Sequence, residues 1–530
     1  MDTFSGLTKG GFFKEYRDIN TTAFFKRYGT LLLFVLFPLF LMGAGGEGNK
    51  KMKTRRIVVC DDNVDPGALD PFFTFSEKKF TLLQQMLEGL VRFDSEANIV
   101  PSLAKSWERV SPLRMRFHLR HGVRFHNGEP FNAESVRFTL ERSLDPKTGS
   151  PLQGFLASID RIEDVDPYTV DIITKFPDGL LLRRLAGLVL LVPPKDYENK
   201  GPSRFAKSPN GTGPFKLKYW SSGKEIVMER NVDYWDSSLP KIDELVMSFL
   251  PNVDEQLEGL LDGHVDLMTE LPGTYTLKVA EAPNAHIVKK EALYAVGGHF
   301  NTAIPPFNDV RVRQAVNYAL NKAEFIRYDL LGNGEAVSTV ATPGQIGYNK
   351  KLIPYPFNLS KAKELLREAG VQLPITIDVF LVPFVERPAR IAKKQLEAIG
   401  INAVLHVFPD GDAVEEFKKG TWNLGMATFP SPTAHVSFSE GLLFYSKSHF
   451  SMHKDPSFDS AFEKAMMILD SKESDLAFQE IERKVHEDAL GMFLYRRIKT
   501  YAVSQRINFR PYLTGMPHYS DAVSIETAKQ

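Results

Sequence analysis

Apolar positions along this chain change period repeatedly, from every second residue to every third or fourth and back. The segment 374–408 is clearest. Ile375, Ile377 and Val379 alternate with polar residues and predict a strand. Ala389, Ala392, Leu396 and Ile399 then recur at helical spacing, and Gly400 stops the pattern. Ile401, Ala403, Leu405 and Val407 alternate again. Strand, helix, strand predicts a right-handed parallel crossover. Just upstream, SKAKELLREAG at 360–370 predicts a helix with Ser360 as N-cap and Gly370 as its stop. A further helix is predicted from near Asp309, its stripe formed by Val312, Val316, Ala319, Leu320 and Ala323. The turn PPFND precedes it, and Pro305 and Pro306 end the strand LYAVGGHFNT before that.

The segment 86–192 reads as a distinct subdomain. RMRFHLRHGVRFHNGEPF at 114–131 predicts a hairpin with polar turns, with Gly122 supplying a tight one. FNAESVRFTLERSL predicts a helix capped by Asn132, and a strand-like IEDVDPYTVDIIT follows. Strands and helices alternate throughout, so the fold class is α/β. No short internal repeat is evident, and 530 residues correspond to roughly three to four domains.

Residues 31–42, LLLFVLFPLFLM, form an unbroken apolar run. Lys26 and Arg27 precede it, and Gly43, Ala44, Gly45 and Gly46 follow. Basic flank, apolar core and small residues are the order of an export signal, so 1–46 is expected to be a leader. The run is shorter than the ~20 residues of a spanning helix and carries Pro38. No Cys follows it, so there is no site for a lipid anchor. A protein outside the cytoplasmic membrane, in the periplasm, is expected.

Lys plus Arg and Asp plus Glu each number 65, which gives no field for nucleic acid, and none is expected as a partner. Cys60, in IVVC, is the only cysteine and reads as a small core residue. Catalytic signatures are missing: there is no P-loop and no GxSxG elbow. HEDAL at 486–490 places Leu490 where a zinc protease needs its second His. His118, His121 and His126 cluster in sequence without an acid or Cys to complete a ligand set, and His449 and His453 sit in a polar loop. No enzyme activity, no metal and no cofactor are therefore expected.

Several blocks match one family in order. They are LLQQMLEGLVRFDSEANIVPSLAKSWERV at 82–110, RFHLRHGVRFHNGEPFNAESVRFTLERSLDP at 116–146, NGTGPFKLKYW at 210–220 and VMERNVDYW at 227–235. GLLDGHVDL at 259–267, HFNTAIPPFNDVRVRQAVNYALNK at 299–322 and a late FLYRRIKTYAVS complete the set. From about residue 55 to 510 the chain resembles the bacterial extracellular solute-binding proteins of family 5, the oligopeptide and dipeptide type. Locally, the blocks carry structural roles: Gly211 and Gly213 beside Pro214 at a chain reversal, Trp107, Trp220 and Trp235 as core anchors, Arg311 and Arg313 capping or pairing nearby.

The resemblance implies a type II periplasmic-binding-protein fold, two lobes joined by crossing strands with an extra subdomain on the first. The boundaries expected are 50–85, 193–295 and 499–530 for lobe 1, 86–192 for the subdomain and 296–498 for lobe 2. It implies a monomer that closes on a peptide or peptide-like solute and delivers it to the permease subunits of an ABC transporter, touching the membrane only there or through an uncleaved leader. A receptor acting on a membrane sensor, or a binder of an oligosaccharide or metal chelate, are the alternatives. Candidate contacts are Phe72 and Phe73 in the segment GALDPFFTF, Tyr294 and Asn301 on or near a crossing strand, and Trp422, Thr428 and Phe429 on a second-lobe loop. One departure stands out. Peptide-binding relatives carry an Asp in a "gW.aDypdP" stretch that pairs with the peptide's free amine. The corresponding segment here, 422–444, has no Asp; Thr428, Phe429 and Ser431 occupy the region, and Glu440 lies outside the expected place. A buried ammonium without a partner costs several kcal/mol, so an N-blocked, uncharged or more apolar ligand is expected.

Overall fold

The computed structural model describes residues 55–61, 65–74, 76–409, 415–419 and 421–525. The apolar run 31–42 and the expected leader lie outside the described residues. Among the described residues no helix is long and apolar enough to cross a membrane.

One eleven-stranded sheet organises the molecule. Its first wing runs outward through Leu267–Met268, Arg56–Cys60, Glu244–Ser248, Glu225–Arg230 and Phe215–Ser221. Its second wing is Leu424–Pro430, Ile375–Leu381 and Ile401–Val407. Two long antiparallel strands, Ala285–Phe300 and Gly491–Ser504, pass between the wings. The predicted crossover is present: Ile375–Leu381 and Ile401–Val407 run parallel, joined by the helix Glu386–Glu397. Buried Ile377, Val379, Ala389, Ala392, Leu396, Ile401 and Ala403 share one core. Cys60 is buried at the end of the first strand, and burial pushes its thiol up to about 12.

Four sequence expectations change at the level of tertiary contact. The helix Leu359–Glu368 is capped by Asn358, not Ser360, because the Asn358 side chain accepts from the Lys361 N–H and Ser360 lies inside the first turn. The helix capped by Asp309 ends at Ala319, and Lys322–Tyr328 is a separate helix. The break is held by the Lys322 ammonium, which is buried and donates to the carbonyls of Asn317 and Tyr355. Residues 114–131 are not a hairpin. Arg114–Leu119 already has Ala104–Ser111 on one edge and Thr169–Thr174 on the other, so 123–131 folds on itself through a single Arg124–Pro130 bridge. Residues 159–174 form two strands, turned where Asp166 accepts from the Tyr168 N–H. Asn132 caps its helix as expected. Arg311 pairs with Asp309, while Arg313 donates to the Phe307 carbonyl and, across the fold, to that of Asp488.

Motif blocks far apart in sequence converge on Glu88. Its buried carboxylate accepts from the Thr212 hydroxyl at 2.8 Å, the Tyr234 hydroxyl at 2.7 Å and the Trp235 indole at 3.1 Å. Trp235 also lies beneath the Arg120 guanidinium, while Trp107 and Trp220 pack half-buried against the cores. Gly211 and Gly213 are needed for close approach: a Cβ on either would fall 2.1 or 2.6 Å from the backbone of Met86.

His126 locks onto the same turn. Its Nε2–H donates to the Gly213 carbonyl at 2.9 Å, and Nδ1 accepts from the Gly211 N–H. Protonation would set two N–H groups against each other. Burial accordingly lowers the ring to about 4. A histidine held neutral in the fold contributes stability that is complete above the unfolded value and lost as pH falls through it. Urea unfolding is expected to show this group losing about 2 kcal/mol between pH 6.5 and 5. His126→Asn should flatten the slope by that amount; an unchanged slope would contradict the assignment. The other two histidines of the trio stand apart, His118 against Glu108 and His121 stacked on Tyr168.

Candidate functional site

The two long strands meet the wings at a break in their ladder. Residues Ala285–Glu291 pair with Ile498–Ser504, and pairing resumes only at Ala295 opposite Arg496. The intervening Leu293 bonds elsewhere: its N–H donates to the Leu513 carbonyl, and its carbonyl accepts from the Ser431 N–H. Residues 292–294 on one strand face Arg497 alone on the other, and these two extra residues bend the sheet here. They also turn Tyr294 toward the second wing.

Tyr294 and Thr428 meet at this bend, their side chains hydrogen-bonded. The Phe384 ring stands edge-on to Tyr294 at 6.3 Å, and the Arg497 guanidinium covers Phe384 at 5.1 Å. Arg497 lies 3.6 Å from Glu270; Lys499 lies 3.8 Å from Glu270 and 2.8 Å from Glu77. Burial pushes the Tyr294 phenol up, opposed by its bond to Thr428. Burial alone would lower the Lys499 ammonium, and the attraction of Glu77 and Glu270 overcomes it and holds the group well up. Two cations and two carboxylates thus form a balanced chain beside a Tyr–Thr pair.

The other candidate residues lie elsewhere. Phe72 is buried in the first-wing core, edge-on to Tyr197 and beneath Arg142, while Phe73 is exposed. Asn301 and Trp422 meet each other: the Asn301 amide donates to the Trp422 carbonyl. Trp422 donates to the Glu416 carbonyl and packs with Phe380, Phe417 and Met452. That cluster lies past the far end of the long strand, seven residues or about 23 Å of extended chain from Tyr294. Phe429 points to the opposite face from Thr428, into a core with Ala295 and Phe493.

Glu77, Glu270, Arg497 and Lys499 were not among the candidates. A lone charge reads as a solvated residue. The available signal was the alternation Tyr495, Arg497, Lys499, Tyr501, which puts two cations on one face of an otherwise apolar strand.

Above the bend, segments of the 86–192 region contact the second wing. The Arg183 guanidinium donates to the Thr433 carbonyl at 3.1 Å, and the rings of Phe155 and Phe438 stack at 5.0 Å. Arg183 is half-buried, among the described residues no carboxylate is hydrogen-bonded to it, and desolvation lowers it to about 10. The Gly179 N–H donates to the Met466 carbonyl at 3.0 Å. A Cβ on Gly187 would fall 2.2 Å from the Pro432 oxygen, and one on Gly179 would fall 2.1 Å from the Ile468 oxygen. These backbones touch because neither glycine has a side chain.

The comparisons with known proteins agree with this architecture. The glutathione-binding protein GsiB of Pectobacterium atrosepticum is 25% identical over 445 residues, covering 81% of this chain and 86% of its own. The di/tripeptide-binding protein 2 of Pseudomonas aeruginosa is 25% identical over 491 residues, covering 85% and 91%. The fold matches that of the ABC transporter-associated periplasmic binding protein DppA from Helicobacter pylori, solved in complex with peptide STSA. Its TM-score is 0.80 at 24% identity, over 89% of this chain and 98% of that one. The family model of the bacterial extracellular solute-binding proteins, family 5 (middle region), matches residues 98–448. The chain is therefore a member of the bacterial extracellular solute-binding proteins, family 5.

Proposed function

We propose that this protein closes on a peptide-like solute at the bend of the crossing strands and hands it to the permease of an ABC importer in the periplasm. The wings act as two lobes, 50–85, 193–295 and 499–530 against 296–498, with 86–192 as the added domain that meets the second lobe on closure. The observation that carries the reading is the site at Tyr294 and Thr428. It lies where the two long strands part, and the rings of Tyr294 and Phe384 stand there beside the ion pairs, which suits a mostly apolar pocket with a few polar anchors. The names of the relatives, binders of glutathione and of di- and tripeptides, support the substrate class.

The electrostatics favour a solute without a free amine. Thr428 is occupied by Tyr294, and Glu77 and Glu270 are already paired with Lys499 and Arg497. An added ammonium would have to displace a partly buried ion pair. Isothermal titration of Ala-Ala-Ala against acetyl-Ala-Ala-Ala should show the acetylated peptide binding about tenfold tighter. Tighter binding of the free amine would overturn the preference, and heat from neither would count against the peptide class. Cell fractionation checks the compartment: the mature chain is expected in the periplasmic extract.

A further inference from the structure

Glu440, the one acid in the segment 422–444, is fully buried. It sits on the helix Ser437–Leu443, and Glu482, at the same 0% exposure, sits on the helix Ser471–Glu487. The two side chains meet carboxyl to carboxyl, in hydrogen-bonding contact. Around them the same helices bury Leu443, Phe478, Ile481 and Val485 in one apolar core. The Thr339 hydroxyl donates to Glu482 Oε2 at 2.7 Å. The other three carboxyl oxygens are closed to water, and among the described residues no N–H or other hydroxyl donates to them. No cation is among the groups acting on either carboxyl. The neighbouring titratable groups are engaged elsewhere. His435 accepts from the Ser437 N–H and is held neutral by burial and by Arg183 and Arg184, of which Arg184 pairs with Asp178. Asp475 accepts from the Gly347 N–H and the Gln479 amide. Glu463, on the helix Pro456–Met467 that packs against Gly441, pairs with Lys447. Tyr348 feels the charge of Glu482, and burial keeps its phenol protonated. Arg496, beyond it, pairs with Glu335.

Two ionised carboxyls in contact repel, and each has given up its water without gaining a donor. One proton removes both costs, because the O–H of one carboxyl then donates to the other. We infer that Glu440 and Glu482 share a single proton, and that this proton holds the helix Ser437–Leu443 against the helix Ser471–Glu487. The first of these helices carries Phe438 to its stack on Phe155, so the shared proton lies under the face of the second wing that meets the 86–192 region. The inference goes beyond the proposed function and needs no solute for its test. Burial, and then the charge of Glu482, push the Glu440 carboxyl well up. Burial pushes Glu482 up as well, opposed by its bonds to Glu440 and Thr339. In the unfolded chain both return to about 4.3. A carboxyl raised in the fold contributes stability that is complete below the unfolded value and lost as pH rises through the folded one. The pair therefore favours acid, opposite in sign to His126.

Urea unfolding of the full chain from about pH 5 upward should show the wild-type unfolding constant rising about tenfold per pH unit relative to Glu440→Gln. Glu482→Gln should remove the same slope. In either variant the new amide supplies the N–H that the proton supplied, and the remaining carboxyl stays ionised. Infrared spectra in D2O at neutral pH provide an independent readout: the wild type should show the C=O stretch of a buried carboxylic acid, missing from both variants. Once rising pH abolishes that band, amide hydrogen exchange across 437–443 should run at least about tenfold faster in the wild type than in either variant. Parallel stability curves without an acid band overturn the shared proton. A slope that survives in one variant assigns the proton to a single carboxyl and overturns the sharing. Exchange in 437–443 that ignores the loss of the band overturns the role in holding the helix. Should either variant fail to fold, the acid band of the wild type decides whether the proton is there.

Discussion

Gly187→Ala is expected to weaken solute binding between about tenfold and a hundredfold without unfolding the protein. In the contact described above, the new methyl would sit 2.2 Å from the Pro432 oxygen. Backbone cannot yield to a side chain as another side chain can, so the helix Leu181–Leu188 must withdraw from the 432–438 segment. The withdrawal also strains the Arg183–Thr433 bond and the Phe155–Phe438 stack. On the proposed closing of two lobes, the cost falls only on the closed form. In the open form alanine is the better helix residue, by about 1 kcal/mol. Stability against urea should therefore hold or rise while affinity falls. Small-angle scattering provides the second readout: the compaction that acetyl-Ala-Ala-Ala causes in the wild type should be lost. Wild-type affinity in the variant would show that this contact is not part of the bound state.

Glu88→Ala is expected to lower global stability by about 3–5 kcal/mol. The substitution removes one acceptor and leaves three donors, the buried Thr212 hydroxyl and those of half-buried Tyr234 and Trp235, without it. Those donors belong to separate parts of the chain, so the loss is shared by the segment after the helix Glu77–Leu83, the 211–214 turn and the segment after the strand Glu225–Arg230. Glu88→Gln keeps one oxygen and should cost less, although its amide N–H₂ then faces donors. Burial already pushes the Glu88 carboxyl up, against the three hydrogen bonds that favour its ionised form. Chemical denaturation measures the difference, and a loss below about 1 kcal/mol for the alanine variant would mean that water replaces the carboxylate.

The blocks used to identify the family prove to be fold determinants. Gly211 and Gly213 permit a backbone approach to Met86, His126 hydrogen-bonds to that turn, and Glu88 gathers the aromatic residues after it. Each is legible as a motif because local geometry demands a particular residue. The residues proposed for binding carry no such local demand. Tyr294 and Thr428 were named from their position in the family resemblance, and Thr428, expected on a loop with Phe429, lies on the strand Leu424–Pro430. Glu77 and Glu270 were not named, since a carboxylate next to a helix start or a strand end looks the same whether it faces solvent or a cation.

Apolar periodicity and turn chemistry by themselves determined the α/β class, the crossover over 375–407 and the order of the motif blocks, because those depend on neighbours within a few residues. Only the tertiary structure decided which charges meet at the bend of the long strands, that Phe72 faces a core, and that glycine backbones touch between the 86–192 region and the second wing. The physical reason is distance along the chain. Lys499 and Glu77 are separated by 422 positions, and no period in the sequence encodes a contact that exists only after two wings of one sheet have been brought around the same pair of strands.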